Sequence, residues 1–500
     1  MAKPSLDKDL KKVAHIERAA ESLGRSLVKP GLLAVFMAGC IAVASHFIDE
    51  SSHASLVVTA AVIAAYMALT IGANDVANNM GPAVGSRVLS MSGAIAIAAL
   101  CEVSGAILAG GDVVSTVAKD LLVTDHGLRT ISFIHVMIAA LLAASLWTHL
   151  ATYLGAPVST THAIVGGVMG SGAMAAGFDA VNWSVMGRIS ASWVISPAAG
   201  GLIAAMLLGL IKWLIIYRDD RVAAARRWVP PLVALMAGVF AMYIVSKGLQ
   251  RVWTPSLAAV LAFGLAFFAF GFAITAPWIN RRAAVIPNTR KAIAQCFTIP
   301  LIFAVGLLSF AHGANDVANA VGPLAAIVSA VQAGTNADQD VTLPLWVLAI
   351  GAFGISLGLT LFGPKLIRTV GEKITKMDPI RAYCVALSAA ITVLVASAMG
   401  LPVSSTHIAI GAVFGVGYLR EMLTNKGVPN PAVKPRSVFL EPSRLNRTPE
   451  EAVENYQKKE KRRLVRRQHV YGIAAAWVIT VPAAALLSAG CYMAMRALTG

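Results

Sequence analysis

The motif Gly72-Ala-Asn-Asp-Val-Ala-Asn-Asn79 occurs twice in this chain of 500 residues. The second copy is Gly313-Ala-Asn-Asp-Val-Ala-Asn-Ala320, which is identical at seven of eight positions. A Gly-Pro pair follows both copies at the same distance. A match of this length at two distant places indicates that one structural unit has been duplicated. The copies therefore predict two homologous halves.

Two further motifs repeat in the same order and support this division. Pro157-Val-Ser-Thr-Thr-His162 corresponds to Pro402-Val-Ser-Ser-Thr-His407, and a Trp-Val-Ile sequence begins at Trp193 and again at Trp477. Three motifs in one order indicate duplication of a long segment rather than of a short signature. We predict that the halves cover roughly residues 56–217 and 295–497.

The composition indicates a membrane protein. Charged residues make up 13% of the chain, whereas soluble proteins contain about 25%. Hydrophobic residues make up 57%, and the mean hydropathy is +0.71. A stretch of about 20 apolar residues suffices to cross a bilayer, and we expect ten to thirteen such crossings. The sequence therefore predicts an all-α polytopic membrane protein and excludes a soluble enzyme.

The net charge of +16 comes largely from basic clusters that lie between the apolar stretches. Because Lys and Arg are enriched on the cytoplasmic side of membrane proteins, we predict that the clusters and the N-terminus are cytoplasmic and bind no nucleic acid. The protein is expected in the cytoplasmic membrane. A weakly charged loop precedes the first motif, whereas the basic loop 281–291 precedes the second. The two halves are therefore expected to have inverted topology, as in many secondary transporters.

The predicted organisation combines the repeats, the apolar stretches and the basic clusters. Gly and Pro interrupt some of the apolar stretches, so broken half-helices are expected within both repeats. The predicted parts are a cytoplasmic N-terminal segment (1–30), a first span and outer loop (31–55), the first repeat (56–217), connecting spans and basic loops (218–294), the first part of the second repeat (295–419), a basic cytoplasmic insert (420–469) and the final span of the second repeat (470–500).

The two motif carboxylates, Asp75 and Asp316, lie in otherwise apolar sequence, where a carboxylate costs about 2.5–3.5 kcal/mol. In a helix, Asn74, Asp75 and Asn78 share one face, whose oxygen atoms suit a hard cation such as Na+. The second copy repeats this face with Asn315, Asp316 and Asn319. The flanking glycines and the Gly-Pro pair are expected to open the backbone and offer carbonyl oxygens. A hydrogen-bond clamp between helices is the alternative, but two copies in inverted halves favour an ion or substrate site.

Each hydroxyl motif follows a Gly and begins with Pro, which is typical of a new helix. A helix N-terminus presents unpaired N–H groups and a positive dipole, so two of them would suit a tetrahedral oxyanion. Capping explains one hydroxyl per motif but not three. The predicted oxyanion donors are Ser159, Thr160, Thr161, Ser404, Ser405 and Thr406. His162 and His407 close the motifs and are interpreted as packed residues, with proton transfer as the less favoured alternative.

Glu102 lies in an apolar stretch, and Ile355 stands at the equivalent position of the second half. This carboxylate is a candidate for a third cation site or a proton site, with a hydrogen bond between helices as an equal alternative. No nucleophile elbow, P-loop or HExxH motif accompanies the Ser/Thr motifs. We therefore expect no enzyme activity, no cofactor and no bound metal.

The duplicated GANDVANA-type motif resembles the signature of the inorganic phosphate transporter (PiT) family, from which Asn79 departs. The likeness covers both halves but not the first 50 residues or the 420–469 insert. The resemblance implies an inverted-repeat fold, uptake of inorganic phosphate with co-transported Na+ or H+, and a homodimer in the lipid bilayer. It also implies cation-binding roles for Asn74, Asp75, Asn315 and Asp316, and phosphate-binding roles for Asn78, Asn319 and the six hydroxyl residues.

The charges favour symport independently of this resemblance. If both Asp residues are ionised, a phosphate carrying one or two negative charges gives the site an excess that a low-dielectric interior does not tolerate unless cations bind too. We therefore predict a secondary active transporter that imports inorganic phosphate by cation symport. A symporter of sulfate or another tetrahedral oxyanion is the alternative in this class, and an anion channel is less favoured.

Overall fold

The computed structural model describes residues 27–48, 53–123, 129–154, 158–250, 253–333, 343–373, 377–425 and 467–499. Most of the predicted N-terminal segment and of the 420–469 insert lies outside these residues. Nearly all of the described chain is helical. Its extended pairing is limited, within those ranges, to an isolated antiparallel bridge between Leu122 and Val181. The all-α prediction is confirmed.

Fifteen α-helices follow one another along the described chain, and three of them continue into a turn of π-helix. They are α1 (Leu27–Phe47), α2 (Ala54–Gly85), α3 (Met91–Ala109), α4 (Gly111–Ser115, then π-helical Thr116–Asp120), α5 (Thr130–Leu154), α6 (Thr160–Ala176), α7 (Trp183–Ile211, then π-helical Lys212–Ile216), α8 (Arg221–Tyr243, then π-helical Ile244–Gly248), α9 (Leu257–Ala283), α10 (Arg290–Ala294), α11 (Thr298–Ala333), α12 (Leu345–Lys373), α13 (Pro379–Ala398), α14 (Ser405–Asn425) and α15 (Arg467–Thr499).

Eleven helical segments of the described chain are long and apolar enough to cross a membrane. This number agrees with the predicted ten to thirteen, and the chain is a multi-pass membrane protein. Two further apolar stretches of the sequence form the helices α6 and α14, which are not among the eleven candidate spans. Both of these helices begin within a hydroxyl motif, at Thr160 and at Ser405.

Glycines allow the motif helices to pack closely on helices of the other half. A Cβ atom on Gly72 of α2 would lie 1.9 Å from the carbonyl oxygen of Ile355 in α12, so no larger residue fits at this crossing. The helices α11 and α3 cross in the same way. The glycine contacts at the two crossings are Gly72 on Ile355, Gly358 on Leu69, Gly313 on Glu102 and Gly105 on Phe310. Small residues of this kind are typical of close contacts between membrane helices.

The remaining repeat helices show a second reciprocal pair of crossings. In α6, Gly166 and Gly170 pack on the backbone of α15, and in α14, Gly411 and Gly415 pack on the backbone of α7. Each of these close crossings between a helix of the first half and one of the second therefore has an equivalent crossing in which the two halves are exchanged. This exchange agrees with the duplication seen in the sequence, while the inverted orientation of the halves stays a prediction.

The motif helices are continuous, so the prediction that the backbone opens beside the first motif is wrong. The helix α2 runs through Gly72 and the whole motif, and Pro82 lies inside it. Pro82 is in the last turn before Gly85, where a missing N–H removes only one hydrogen bond close to the helix end. Gly72 serves the close crossing with α12 and does not break the helix.

Candidate functional site

The site lies where α2 and α11 meet the N-termini of α6 and α14. Asp75 on α2 and Asp316 on α11 are each only 1% exposed, in the part of the bundle where these two helices pack together. Because both motifs are helical, Asn78 and Asn319 follow the carboxylates by three residues and lie on the same helix face. The structure thus brings both predicted carboxylates into the interior of the protein.

Asp75 receives hydrogen bonds from the hydroxyl motifs of both halves. Thr406 Oγ1 donates to Asp75 Oδ1 at 2.9 Å, and Thr160 Oγ1 donates to Asp75 Oδ2 at 3.3 Å. The amide of Asn74 donates to Asp75 Oδ1 at 3.1 Å. This carboxylate therefore joins the two helix N-termini.

Asp316 has one partner of the same kind and one free oxygen. Ser405 Oγ donates to Asp316 Oδ2 at 3.2 Å, whereas Asp316 Oδ1 is buried and accepts no hydrogen bond within the described chain. An unpaired buried carboxylate oxygen is costly and indicates a place where a cation or a proton binds.

The second Asn of each motif bonds to a hydroxyl of the opposite half. Asn78 Nδ2 donates to Thr406 Oγ1 at 2.8 Å, and Asn319 Nδ2 donates to Thr161 Oγ1 at 3.0 Å. Thr161 and Thr406 occupy equivalent positions in the two hydroxyl motifs, so these contacts are reciprocal. The predicted phosphate-site residues of the two halves therefore come together.

The first Asn of each motif holds the backbone just ahead of a helix N-terminus. Asn315 Oδ1 accepts from the N–H of Val403 at 3.2 Å, and its Nδ2 donates to the carbonyl oxygen of Leu401 at 3.1 Å. Asn74 Nδ2 donates to the carbonyl oxygen of Val158 at 3.3 Å, two residues ahead of α6. Both amides thus position the backbone ahead of a helix. Their contact with a cation stays a prediction.

One hydroxyl in each motif caps its own helix, as the sequence led us to expect. Ser159 Oγ accepts from the N–H of His162 at 3.2 Å, and Ser404 Oγ accepts from the N–H of His407 at 3.3 Å. The other four hydroxyls bond elsewhere. The first N–H groups of α6 and α14 have no partner within their own helices and are available to an anion.

His312 lies between the two carboxylates, and the sequence analysis missed it. The residue is fully buried; its Nε2 is 3.1 Å from Asp316 Oδ2 and 3.9 Å from Asp75 Oδ2. One atom from each of these three side chains lies within 4.8 Å of the other two. The two carboxylates therefore belong to one buried cluster, which together with the N-termini of α6 and α14 is termed the pocket. Two carboxylates and an imidazole could also hold a metal ion, although we expected none from the sequence.

The sequence profile of the phosphate transporter family matches residues 71–488 of this chain. The chain belongs to the phosphate transporter family. This membership confirms the family resemblance seen in the duplicated motif.

Members of the phosphate transporter family from distant organisms resemble the chain along much of its length. A Helicobacter pylori protein named as a phosphate permease is 44% identical over 526 residues, covering 97% of this chain and 98% of that protein. The chloroplastic inorganic phosphate transporter 2-1 of Arabidopsis thaliana is 36% identical over 381 residues, covering 71% of this chain and 64% of that protein. The solved structure of a sodium-dependent phosphate transporter is 32% identical with a TM-score of 0.75, covering 88% of this chain and 99% of that one.

Glu102 makes two contacts that have no equivalent in the second half of this family member. Asn79 Nδ2 donates to Glu102 Oε1 at 3.0 Å, and His312 Nδ1 is 3.1 Å from the same oxygen. The equivalents of these three residues in the other half are Ala320, Ile355 and Ile71. A hydrogen bond between helices, one of the two interpretations of Glu102, is thus present. Its role as a third cation or proton site stays a prediction.

The two motif histidines pack against each other. The rings of His162 and His407 are 4.6 Å apart, edge to face, and both residues are buried. Trp193 of α7 packs on His162 with ring centroids 3.9 Å apart and donates its Nε1–H to the carbonyl oxygen of Pro402. These contacts agree with the interpretation of both histidines as packed residues.

Proposed function

We propose that this member of the family imports inorganic phosphate by symport with Na+ or H+ across the cytoplasmic membrane, with its N-terminus in the cytoplasm. One observation carries the proposal: Asp75 and Asp316 share a buried pocket with the N-termini of α6 and α14. Positive helix ends beside paired carboxylates supply binding partners for an anion and for its cations.

The helix N-termini and their side chains supply the donors for phosphate. Unpaired N–H groups at the start of α6 and α14 point toward the pocket by helix geometry, and an oxyanion there needs no Lys or Arg. The hydroxyls of Thr160, Thr161, Ser405 and Thr406 line the same pocket, as their contacts with the motif residues indicate. The amides of Asn78 and Asn319 add donors from both motifs.

The carboxylates explain why phosphate would move together with a cation. A phosphate anion beside two ionised carboxylates in a buried site is strongly repelled, so its binding requires added positive charge. Na+ suits the carboxylate and hydroxyl oxygens, while a proton would be accepted by a carboxylate or by His312. The solved relative that is named for sodium dependence supports the first of these ions.

The exposure of the motif amides favours access to the pocket from one side. Asn74 and Asn78 are partly exposed, whereas Asn315 and Asn319 are completely buried. This difference supports an arrangement in which the pocket is accessible along the first motif and closed along the second. The two halves make equivalent crossings, so each half can adopt the conformation that the other has in this structure. Such an exchange would open the pocket along the second motif and close it along the first, which is the basis of alternating access in repeat transporters. We include a homodimer in this proposal, as the family resemblance implies.

Uptake into proteoliposomes tests the proposal. Initial rates of radiolabelled phosphate uptake are compared under an inward Na+ gradient, an inward proton gradient, and neither. We expect saturable uptake under one or both gradients and at most a small rate without them. Competition by unlabelled sulfate separates phosphate from sulfate transport. Equal uptake with and without gradients would contradict symport and favour a channel.

A further inference from the structure

A short segment between α3 and α5 covers the second motif. It consists of α4 and the π-helical turn that follows α4, and it is termed the cover segment. A Cβ atom on Gly110, the residue that joins this segment to α3, would lie 2.7 Å from Val317 of the motif. A Cβ atom on Gly322 would lie 2.6 Å from Val117 of the cover segment. The segment therefore packs along α11 from within the motif to just beyond it.

The cover segment also lies against the turn that leads into α14. In this turn Gly400 has a φ of +68°, and a Cβ atom on it would lie 3.1 Å from Thr116 Oγ1 and 3.5 Å from the carbonyl oxygen of Asp112. The next residue, Leu401, is the one whose carbonyl oxygen accepts from Asn315. The segment thus contacts both α11 and the turn that Asn315 holds, which agrees with the complete burial of this amide.

An ion pair joins the cover segment to the end of α8, a helix outside both predicted repeats. Lys247 Nζ donates to Asp112 Oδ2 at 2.6 Å, and the two side chains are 29% and 39% exposed. The same end of α8 packs on the end of α3, because a Cβ atom on Gly248 would lie 3.6 Å from Leu108 Cβ. A helix outside the repeats therefore holds the segment that covers the second motif.

The equivalent part of the second half is built differently. A Cβ atom on Gly363 of α12 would lie 2.7 Å from Val76 of the first motif, just as one on Gly110 would lie 2.7 Å from Val317. Beyond this glycine, α12 continues as one helix through Pro364. In the first half, by contrast, α3 ends at the residue before Gly110 and α4 begins at the residue after it. The helix is thus interrupted in one half and continuous in the other.

The charge of the two equivalent segments differs as well. Lys365 stands where the cover segment has Asp112, so the acid of the ion pair has no counterpart in the second half. The difference in helix shape goes together with the exposure of the motifs. The amides of the first motif, beside the continuous helix, are partly exposed, and those of the second motif, beside the cover segment, are completely buried.

We propose that the cover segment is a gate over the second motif, and that the ion pair between Asp112 and Lys247 keeps this gate closed. The inference rests on the proposed function, because a gate has a role only where a pocket opens to alternate sides. Gly110 is the hinge, since hinges lie at the ends of secondary-structure elements. Release of the ion pair lets the segment move away from Val317 and Gly400. A partly exposed ion pair is weak enough to break and form again in each transport cycle.

Hydrogen–deuterium exchange of the purified full-length chain, read by mass spectrometry, tests the gate without a transport measurement. Asp112→Asn and Lys247→Gln each remove the ion pair at a partly exposed position. We expect amide exchange to rise about fivefold in the cover segment and in the turn ahead of α14, which is the effect of a partly exposed ion pair of the stronger kind. Exchange in α9 should not change. The reversed pair, Asp112→Lys with Lys247→Asp, should restore the protection of the wild type.

Asp120→Asn is the matched control, because it removes a carboxylate from an exposed position of the same segment. It is expected to leave the exchange unchanged. Wild-type exchange of the cover segment in both single variants would overturn the proposal, as would a rise of equal size throughout the chain or a monodisperse reversed pair that regains no protection. Since exchange needs no transport, a lack of gradient-driven uptake by the wild type would contradict the proposed function and leave this measurement valid.

Discussion

Thr406, in the first turn of α14, donates its hydroxyl to Asp75 of α2 at 2.9 Å across a sequence separation of 331 residues. The same hydroxyl accepts a hydrogen bond from Asn78 at 2.8 Å. The equivalent hydroxyl, Thr161 Oγ1, accepts one from Asn319 at 3.0 Å. Each half thus supplies a hydroxyl to the motif of the other half, and the pocket cannot form from one half alone.

Removal of either cross-half hydroxyl should weaken phosphate binding. Both Thr406→Val and Thr161→Val keep the approximate shape of the side chain. The first removes the hydroxyl that Asn78 bonds to, and the second leaves Asn319 only its longer contact with Thr160. We expect the KM for phosphate to rise about tenfold in each, which corresponds to about 1.4 kcal/mol. Initial rates of uptake at saturating cation measure the effect. The control is Thr360→Val, whose exposed hydroxyl bonds only within its own helix. An unchanged KM in both pocket variants would show that these hydroxyls do not contact phosphate.

Neutralisation of a motif carboxylate should abolish the response to the cation gradient. Asp75→Asn keeps the side-chain volume but removes the charge that the co-transported cation balances. We expect gradient-driven uptake to fall at least about 100-fold, and Asp316→Asn to behave alike. Asp179→Asn, which changes an exposed carboxylate, is the control. Gradient-driven uptake that survives in Asp75→Asn would remove this residue from the coupling mechanism.

The carboxylates and hydroxyls could be predicted because they are chemical exceptions in apolar sequence. An acid in a spanning segment requires compensation, and three successive hydroxyls exceed what a cap needs. Identity between the two copies does not reveal His312, because Ile71 stands at the equivalent position. Its spacing four residues before Asp316, on the same helix face, was the available signal.

Other features could not be read from the sequence because they depend on the neighbouring helix. Helical spacing places Asn74 and Asn315 beside the carboxylates but does not reveal that their amides bond to the backbone ahead of α6 and α14. Glycine next to a motif is compatible with an open backbone and with a close crossing. Only the contact between Gly72 and Ile355 distinguishes these possibilities.

A larger side chain at a glycine crossing should destabilise the fold. In Gly72→Leu, the Cβ atom would lie 1.9 Å from the carbonyl oxygen of Ile355, so the helices must separate. We expect a loss of about 1–3 kcal/mol of stability, as for other overpacked sites. Thermal unfolding followed by fluorescence-detected size exclusion measures the loss. Gly490→Leu is the control, because a Cβ there has no neighbour within 4 Å. Equal stability of both variants would contradict the close crossing.

Asn79 should affect the cation dependence of uptake through its hydrogen bond to Glu102. Asn79→Ala removes the hydrogen bond that holds Glu102 beside His312, and hence the support of the imidazole next to Asp316. We expect the cation concentration at half-maximal uptake to rise about tenfold, with the phosphate KM at saturating cation unchanged. Asn280→Ala, at an exposed position of α9, is the control. A change confined to the phosphate KM would assign Asn79 to the substrate site instead.

An experimental structure of the protein with bound phosphate and Na+ tests the shared pocket most directly. We expect a tetrahedral anion between the N-termini of α6 and α14, and a cation in contact with Asp75 or Asp316 in the same cavity. An anion bound elsewhere, with the two carboxylates in separate cavities or facing lipid, would contradict the account.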